Sequence, residues 1–363
     1  MQNMQSLILK VLFVKLILAT FFINQLCCQT LKEESRQLIG VESHEIWTIY
    51  PSTYHLYPSD NERTIRLVMP FIFKQWPNIV EHISWWYRPD IAPCLLETSV
   101  GVSIDLIFYL DVVGSEISLS YVMDMIENHN IDSEMKSIYK NVPGVQNCLR
   151  KISLSLFTEG INLYQAGAYA TVKHLVLDSS TRGYKIMALL ESDAFPIKEG
   201  WMNKMYQKAF YEGSYLLKGT AYNNKFRQVR KWYFVHGHIN GNCLWNVTNH
   251  DFLLKSFKGL EEAAAAIGHH VGYDVLFNLL YIHKNTSDCR FSYMKEYCEF
   301  CVDYIKEKQL KDYWTSGYID TPYIYNTMTL KRTLCYKMKG WSMNLLNKWF
   351  KDNLFVHCTF HRD

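Results

Sequence analysis

Two carboxylate side chains follow an apolar run in the middle of the chain. Residues 184–190 have the composition of a buried strand, and Glu191 and Asp193 come directly after it, separated by Ser192. Placing carboxylates at the end of a buried strand costs desolvation free energy unless they face a cleft, a cation or a hydrogen-bond donor. Mg²⁺ and Mn²⁺ bind carboxylate and diphosphate oxygens together and, as Lewis acids, stabilise a departing nucleoside diphosphate. The spacing predicts either this chemistry or a plain turn in which Asp193 precedes Pro196.

A second polar group lies near residue 240. Residues 231–239 alternate in polarity, and Asn240-Gly241 is a strong two-residue hairpin signal before Asn242. One interpretation is a plain hairpin whose histidines, among them His238, make ordinary hydrogen bonds. Two histidines at positions i and i+2 of a strand can also bind a metal, although no third ligand is evident nearby in the sequence. The spacing alone favours the plain hairpin.

An acidic residue at the start of a late helix is the third candidate. Residues 260–267 form a segment of high helix propensity that ends at Gly268, and the apolar run 275–282 predicts the next helix. Asp274 therefore lies where an N-cap is expected. A carboxylate there can alternatively take the proton from an attacking hydroxyl. Both interpretations of Asp274 remain open from the sequence.

Alternating strand and helix signals must position these side chains. A β-branched run at 64–70 is followed by Pro77 at the first turn of a helix, and residues 103–110 form an apolar run typical of a strand covered on both faces. Residues 145–175 are predicted to be helical, and the strand at 184–190 comes next. This order predicts an α/β fold with a mostly parallel sheet flanked by helices, in which ligands bind at the carboxyl ends of the strands.

The order of these motifs resembles eukaryotic nucleotide-diphospho-sugar transferases of the GT-A type, over about residues 64–330. The residues that carry the resemblance are Leu67-Val-Met-Pro-Phe71, Trp76, Trp86, Asp105-Leu-Ile-Phe-Tyr109, Ala188-Leu-Leu-Glu-Ser-Asp-Ala-Phe-Pro-Ile197, Gly200-Trp201 and His238-Ile-Asn-Gly-Asn242. The acidic motif of that family is usually Asp-x-Asp, and this chain has Glu191 at the first position. The resemblance implies a Rossmann-like sheet and a metal-dependent glycosyltransferase that uses a nucleoside diphosphate sugar and a glycan, protein or lipid hydroxyl as acceptor.

The resemblance also implies roles for individual residues. Asp193 would bind Mn²⁺ or Mg²⁺, Glu191 would contact the metal through water or bind the ribose, and Asp105 would lie near the nucleotide. Asp274 would be the catalytic base of an inverting reaction. Substrate contacts are expected from His238, Asn240, Asn242 and Trp201, and a late histidine, His357 or His361, would complete the metal shell.

The amino terminus and the cysteines indicate a compartment. Residues 1–28 are predicted to be a cleavable signal peptide, with a type II signal anchor, and hence attachment to a membrane, as the alternative. Eight of the ten cysteines follow this segment, an even number that suits disulfides in an oxidising compartment. Asn246-Val-Thr248 and Asn285-Thr-Ser287 are glycosylation sequons. The chain is therefore expected in the lumen of the secretory pathway, the Golgi or the endoplasmic reticulum, or outside the cell.

Composition limits the function classes and the domain plan. The 363 residues are 48% hydrophobic with a net charge of +3, which excludes intrinsic disorder and gives no basic run for nucleic acid. The prediction is a stem at 29–62, a GT-A domain at 63–330 and a Cys-rich C-terminal extension at 331–363. Two alternatives to the enzyme remain. The first is an inactive carbohydrate-binding or interaction protein on a transferase fold, in which some of the aromatic residues (15% of the chain) contact sugar. The second is a lumenal hydrolase, which the absence of a Gly-x-Ser-x-Gly element disfavours. Cys298-Glu-Phe-Cys301 lacks the second pair that a zinc site needs.

Overall fold

The central element of the fold is a mixed sheet. The computed structural model describes residues 44–49, 63–95, 101–113, 119–160, 164–212, 215–220, 239, 241–267, 318–320, 324–325, 338, 340–350 and 355–357. The strands in these ranges are β1 (His44–Ile49), β2 (Ile65–Phe71), β3 (Ile104–Val113), β4 (Leu149–Gly160), β5 (Ile186–Leu189), β6 (Ala194–Pro196), β7 (Leu217–Gly219), β8 (Leu244–Asn246), β9 (Tyr318–Asp320), β10 (Ile324–Tyr325) and β11 (Phe355–His357). Eight of them form the larger sheet, in the order β1-β4-β3-β2-β5-β8-β7-β9.

The middle of this sheet is parallel. Strands β4, β3, β2 and β5 run in the same direction, whereas β1 is antiparallel to β4 and β8 is antiparallel to β5. Ile65 of β2 is in register with Ile104 of β3 on one side and with Ile186 of β5 on the other. The carboxyl ends of β2, β3 and β5 therefore reach the same edge of the sheet. The prediction of an α/β fold with a mostly parallel sheet is confirmed.

Helices cover both faces of the sheet. They are α1 (Trp76–Trp86), α2 (Leu119–Asn128), α3 (Ile131–Asn141), α4 (Tyr164–Thr181), α5 (Trp201–Tyr211), α6 (His250–Ile267) and α7 (Met343–Trp349). Leu67 and Met69 of β2 face the core that α1, α2, α3 and α5 share, and Val68 faces the core of α4 and α6. Because each strand residue is buried on one face or the other, the central strands read as continuous apolar runs.

One prediction about local structure is wrong. The interval 145–175 contains β4 before α4 begins at Tyr164, so only its second half is helical. In β4, Ile152, Leu154 and Leu156 point into one core and alternate with buried serines, which is the period of a strand. Residues 44–49, within the predicted stem, form β1, which pairs with β4.

A disulfide and a second, smaller sheet connect segments that are distant in the sequence. A disulfide joins Cys94 and Cys148, which are 54 residues apart, so that the segment after α1 is fixed beside the start of β4. The C-terminal strand β11 lies between β10 and β6 in a three-stranded sheet.

No helix in the described ranges is long and apolar enough to cross a membrane, and the predicted targeting segment, residues 1–28, lies outside them.

Candidate functional site

The predicted carboxylates lie on a tight turn at the carboxyl edge of the sheet. After β5, the Leu190 N–H still donates to the Val68 carbonyl (3.0 Å), which continues the alignment with β2. The chain then reverses, and the Ala194 N–H donates to the Glu191 carbonyl (3.0 Å) before β6 begins. We call residues 191–194 the acidic turn. Glu191 and Asp193 are half-buried there, and Ser192 between them is buried.

Asn242 holds Glu191 through both ends of its amide. Its Nδ2 donates to Glu191 Oε2 at 2.6 Å, and its Oδ1 accepts from the Glu191 N–H at 2.6 Å. Asn242 is only 1% exposed. A carboxylate that accepts a buried hydrogen bond is fixed in orientation, and bonds to charged groups are stronger than neutral ones. The sequence predicted that Asn242 contacts substrate; the structure instead shows it beside the site, positioning Glu191.

Gly219 on β7 leaves room for the segment that carries Asn242 to approach Glu191. A Cβ at Gly219 would lie 2.6 Å from Cγ2 of Ile239 and 2.9 Å from Cβ of Cys243. These distances are shorter than real side-chain contacts, so any larger residue would push away the segment that carries Asn242. The Leu189 N–H donates to the Cys243 carbonyl (2.9 Å), which fixes the same segment on β5. The sequence pattern gave no signal for the role of Gly219.

Asp105 lies far from the acidic turn, and its predicted place near the nucleotide needs correction. It is the second residue of β3 and is in register, through Arg66, with Met187 of β5. Glu191 is four residues beyond Met187, or about 13 Å along the strand direction. Asp105 is fully buried and binds Arg150, whose Nε lies 2.6 Å from Oδ1.

A tyrosine completes the environment of Asp105. The Tyr184 hydroxyl donates to Asp105 Oδ2 at 2.5 Å, and burial, followed by the negative charge of Asp105, raises the Tyr184 pKa. The hydroxyl therefore keeps its proton and remains a donor at every physiological pH. This arrangement gives Asp105 a structural role at the amino edge of the sheet.

Trp201 is a core residue, which corrects the prediction that it contacts substrate. It is 0% exposed at the start of α5, and its ring packs against Trp86 (centroids 5.5 Å apart) and Phe355 (5.1 Å). Trp245, three residues after Asn242 in the sequence, is 1% exposed. These two rings have no surface to offer a sugar, because neighbouring side chains cover them.

A buried histidine lies under the acidic turn, and sequence reasoning missed it. His82 on α1 is 0% exposed, and its ring packs against Phe195 (5.2 Å), two residues after Asp193. Burial lowers the pKa of His82 to about 3, although the nearby Ser192 backbone partly opposes this shift. The imidazole is therefore neutral. Among the described residues, neither ring nitrogen has a hydrogen-bond partner of ordinary geometry.

The C-terminal strand borders the same turn. β11 pairs antiparallel with β6, and His357 is in register with Ala194, the residue after Asp193. The backbone of one of the two late histidines suggested by the family resemblance therefore lies beside the acidic turn.

Three predicted site residues, His238, Asn240 and Asp274, lie outside the described residues, as does His361. Within the part of the chain that the structure describes, no group of three or more His, Cys, Asp or Glu side chains is close enough to hold a metal ion. The site seen here thus consists of Glu191 and Asp193 with Asn242 as the positioning group.

Comparisons with known proteins give only distant similarities. No protein-family model matches the chain, and no curated protein matches it. The chain is similar to the apo structure of WbbM, a bifunctional glycosyltransferase, with 9% sequence identity and a TM-score of 0.39; the match covers 85% of this chain and 48%, about half, of that one. It is also similar to an active-site mutant of LgtC, with 12% identity and a TM-score of 0.38, over 82% of this chain and 90% of that one.

Proposed function

We propose that this chain is a metal-dependent glycosyltransferase that moves a sugar from a nucleoside diphosphate sugar to a hydroxyl acceptor. The observation that carries the proposal is the pair of half-buried carboxylates on the acidic turn, with Asn242 orienting Glu191. This turn lies at the carboxyl edge of a parallel sheet, which is where ligands bind in open α/β folds.

The donor set of the acidic turn fits a hard divalent cation. Glu191 and Asp193 supply carboxylate oxygens, the ligands that Mg²⁺ and Mn²⁺ prefer. The hydrogen bond from Asn242 orients Glu191 in the way that outer-shell groups orient metal ligands. When bound, the cation would neutralise the charge that develops on the departing diphosphate. The net charge of +3 includes no run of Lys or Arg, so the sequence offers no basic segment that could neutralise the diphosphate in place of a cation.

Further residues are assigned by the same proposal. Asp193 binds the metal directly, and Glu191 binds it directly or through water. The register of β11 with β6 supports His357 as an additional ligand. We assign His238 and Asn240 to substrate hydroxyls and Asp274 to the proton of the acceptor hydroxyl, as the family resemblance implies.

We further propose that the protein works in the lumen of the secretory pathway. The Cys94–Cys148 disulfide supports an oxidising compartment. The sequon at Asn246 supports it too, because Asn246 Oδ1 accepts hydrogen bonds from the N–H of Thr248 (3.1 Å) and from its hydroxyl (2.7 Å), and Thr248 is exposed. The sequon is thus ordered at the surface, where a transferase can reach it.

Thermal melting with nucleoside diphosphate sugars, each with and without Mn²⁺, tests the proposal. A ligand at 100 times its dissociation constant stabilises the folded state by about 2.7 kcal/mol. We expect stabilisation that requires both donor and Mn²⁺, and its loss, together with the loss of transfer, in Asp193→Ala. The matched control is Asp132→Ala on α3, whose partner Lys136 is a surface residue.

Two outcomes would contradict the proposal. Unchanged transfer in Asp193→Ala would exclude a metal-binding role for this carboxylate. Stabilisation by free glycans, with no response to any nucleotide donor or Mn²⁺, would favour the inactive carbohydrate-binding protein.

A further inference from the structure

Two tryptophans near the C-terminus form an aromatic pair on the surface, which we call the tryptophan pair. The ring centroids of Trp341 and Trp349 lie 6.3 Å apart, and the ring planes are inclined by 41°. Trp349 is 64% exposed, whereas five other tryptophans of the described ranges are at most 3% exposed. A single exposed ring needs no explanation, but two rings set at an angle offer a ligand a shaped apolar surface.

The fold holds both rings in place before any ligand binds. Trp341 is partly buried and packs against the core that α1 and α5 share. Trp349 ends α7, which begins after the N-cap Ser342 and buries Leu346 in the same core. The Ser342 hydroxyl accepts a hydrogen bond from the Leu345 N–H at 3.4 Å, which closes the first turn of the helix. Because the surface is preformed, a ligand loses little binding free energy to the ordering of these side chains.

The exposed area of the pair is small. A fully covered tryptophan buries roughly 150–250 Å², so a 64% exposed Trp349 and a partly buried Trp341 together offer less than about 300 Å². A specific protein–protein interface buries about 800 Å² on each partner. Asn344 and Lys348, on the same helix, are exposed polar residues. The pair therefore suits a small ligand with apolar faces better than a protein surface.

A carboxylate lies close to the pair. Arg88 Nη2 donates to the Trp341 carbonyl at 3.0 Å and to Asp90 Oδ2 at 2.7 Å, and Arg88 Nε donates to Asp90 Oδ1 at 3.0 Å. The Asp90 side chain is 38% exposed. A carboxylate has about four acceptor sites, so the two bonds from Arg88 orient Asp90 and leave sites for hydroxyl groups.

The rings and the carboxylate together fit a sugar. A pyranose carries C–H groups with a partial positive charge on its faces and hydroxyl groups around its edge. The face of an aromatic ring is the negative part of its quadrupole, so it attracts the C–H face of a sugar. The oriented carboxylate of Asp90 accepts hydrogen bonds from the hydroxyls, and bonds to a charged acceptor are stronger than bonds between neutral groups.

We propose that the tryptophan pair and Asp90 bind a glycan acceptor, with sugar rings stacked on Trp349 and Trp341 and a sugar hydroxyl donating to Asp90. The inference rests on the proposed function and selects the glycan from the three acceptor classes that the function includes. Phe355 of β11 is six residues after Trp349, which is at most about 22 Å of extended chain, and β11 pairs with β6 directly after the acidic turn. A glycan whose reacting end lies at the acidic turn can therefore place its more distant sugars on the pair.

Binding of the full chain to an array of N-linked, O-linked and glycolipid-type oligosaccharides, followed by calorimetric titration with the strongest of them, tests the assignment. We expect Trp349→Ala to bind that oligosaccharide roughly tenfold or more weakly, the effect of truncating an aromatic anchor. Asp90→Ala should bind it roughly three- to tenfold more weakly, the effect of one lost hydrogen bond. The matched control is Tyr211→Ala at the end of α5, which removes a ring that is 66% exposed and should bind like the wild type. Both ring variants should melt close to the wild type, because the rings are largely exposed.

Transfer kinetics separate this surface from the reacting site. Interactions away from the reacting atoms contribute equally to the ground state and the transition state, so Trp349→Ala should raise KM for the oligosaccharide and leave kcat unchanged. With a monosaccharide acceptor, which cannot span both places, the variant and the wild type should have the same KM. Stabilisation by donor and Mn²⁺ should persist in Trp349→Ala.

The outcomes distinguish this surface from the proposed function. Wild-type oligosaccharide affinity in Trp349→Ala, or no binding to any glycan, would overturn the assignment, while a donor response that requires Mn²⁺ would still uphold the transferase. Oligosaccharide binding that depends on Trp349, in a chain that responds to no donor, would uphold glycan binding and refute the transferase. If Trp349→Ala instead abolishes binding to vesicles of phosphatidylcholine and phosphatidylserine, or abolishes dimerisation, and no glycan binds, the occupant is a membrane or a second copy and the proposal is wrong.

Discussion

Replacing Asp105 with alanine would remove a carboxylate that pairs with the buried Arg150 guanidinium. Arg150 is 6% exposed and Asp105 is 0% exposed, and two nitrogens of the guanidinium contact the carboxylate. The Tyr184 hydroxyl would lose its acceptor at the same time. Water cannot replace either interaction without opening the sheet under the end of α4.

The size of the effect follows from this burial. Removing one partner of a buried ion pair costs about 3–5 kcal/mol, most of it from the charge left behind. Domains are stable by roughly 5–15 kcal/mol, so the loss is a large share of the total. At about 2.1 cal/mol/K of unfolding entropy per residue and the roughly 200 residues that the structure describes, it lowers Tm by about 7–12 °C.

Urea denaturation and thermal melting measure this loss, and two variants control for it. Asp132→Ala breaks an ion pair with Lys136 whose side chains are 44% and 60% exposed, so it should cost less than about 1 kcal/mol. Asp105→Ala combined with Arg150→Met should recover part of the stability, because neither charge then remains buried alone.

The result also decides between two roles for Asp105. Below its melting temperature, Asp105→Ala should bind Mn²⁺ and donor as the wild type does, whereas Asp193→Ala should not. A melting temperature within 1 °C of the wild type (roughly a 0.4 kcal/mol change) would refute the ion-pair reasoning. Loss of donor binding in folded Asp105→Ala would refute the structural role and favour the nucleotide role that the family resemblance implies.

Three further predictions concern stability away from the acidic turn. Burial lowers the pKa of His174 to about 4. Below pH 6.5 the unfolded chain therefore binds a proton at this histidine that the folded chain does not, so His174 alone should lower the stability by about 1 kcal/mol from pH 7.5 to 5.5. Urea titrations should find the pH dependence of stability reduced by this amount in His174→Gln. The Cys94→Ala/Cys148→Ala variant should lose about 4 kcal/mol by the same measurement, because the disulfide closes a 54-residue separation. Lys218 is fully buried and donates to the carbonyl of Lys208 at 2.7 Å near the end of α5. Lys218→Met should therefore lower the free energy of unfolding by about 1–3 kcal/mol, measured by thermal melting. An unchanged Tm would contradict this capping role.

The sequence predicts the central strands well because both of their faces are covered. Apolar runs at 64–70, 103–110 and 184–190 correspond to β2, β3 and β5, and Pro77 marks the first turn of α1 as expected. Strand β4 escaped prediction because Ser153 and Ser155 alternate with its apolar residues and are themselves buried. Their mixed polarity was interpreted as a helix, although the period was two.

The error over β4 hid the partner of Asp105. Arg150 is the second residue of β4, and with that segment assigned to a helix nothing in the sequence brought a guanidinium to Asp105. The position of Asp105 near the nucleotide was implied by the family resemblance, and no pattern in the sequence opposed it. The correct placement needed the pairing of β3 with β4, which is a long-range property.

The position of the acidic turn can be predicted from the sequence, but the residues that hold it in place cannot. An apolar strand followed by two carboxylates locates Glu191 and Asp193 at the sheet edge from local sequence alone. Asn242 is 51 residues further on and reaches Glu191 only because Gly219 leaves room for its segment. His82 stands in a helix among buried aromatic residues, and its spacing is that of a core position. No local pattern marks any of these three contacts.

The two carboxylates that the structure describes in most detail differ in the kind of partner they have. Asp105 faces a guanidinium, which cancels its charge and leaves nothing for a ligand to neutralise. Glu191 accepts a hydrogen bond from the neutral amide of Asn242, and this bond orients the carboxylate without cancelling its charge. A divalent cation gains from the second arrangement and not from the first, because it needs negative oxygens held in place. Glu191→Gln should therefore weaken Mn²⁺ binding while melting close to the wild type, whereas Asp105→Asn should do the reverse; the opposite pattern in calorimetry and Mn²⁺ titration would exchange the roles assigned to these residues.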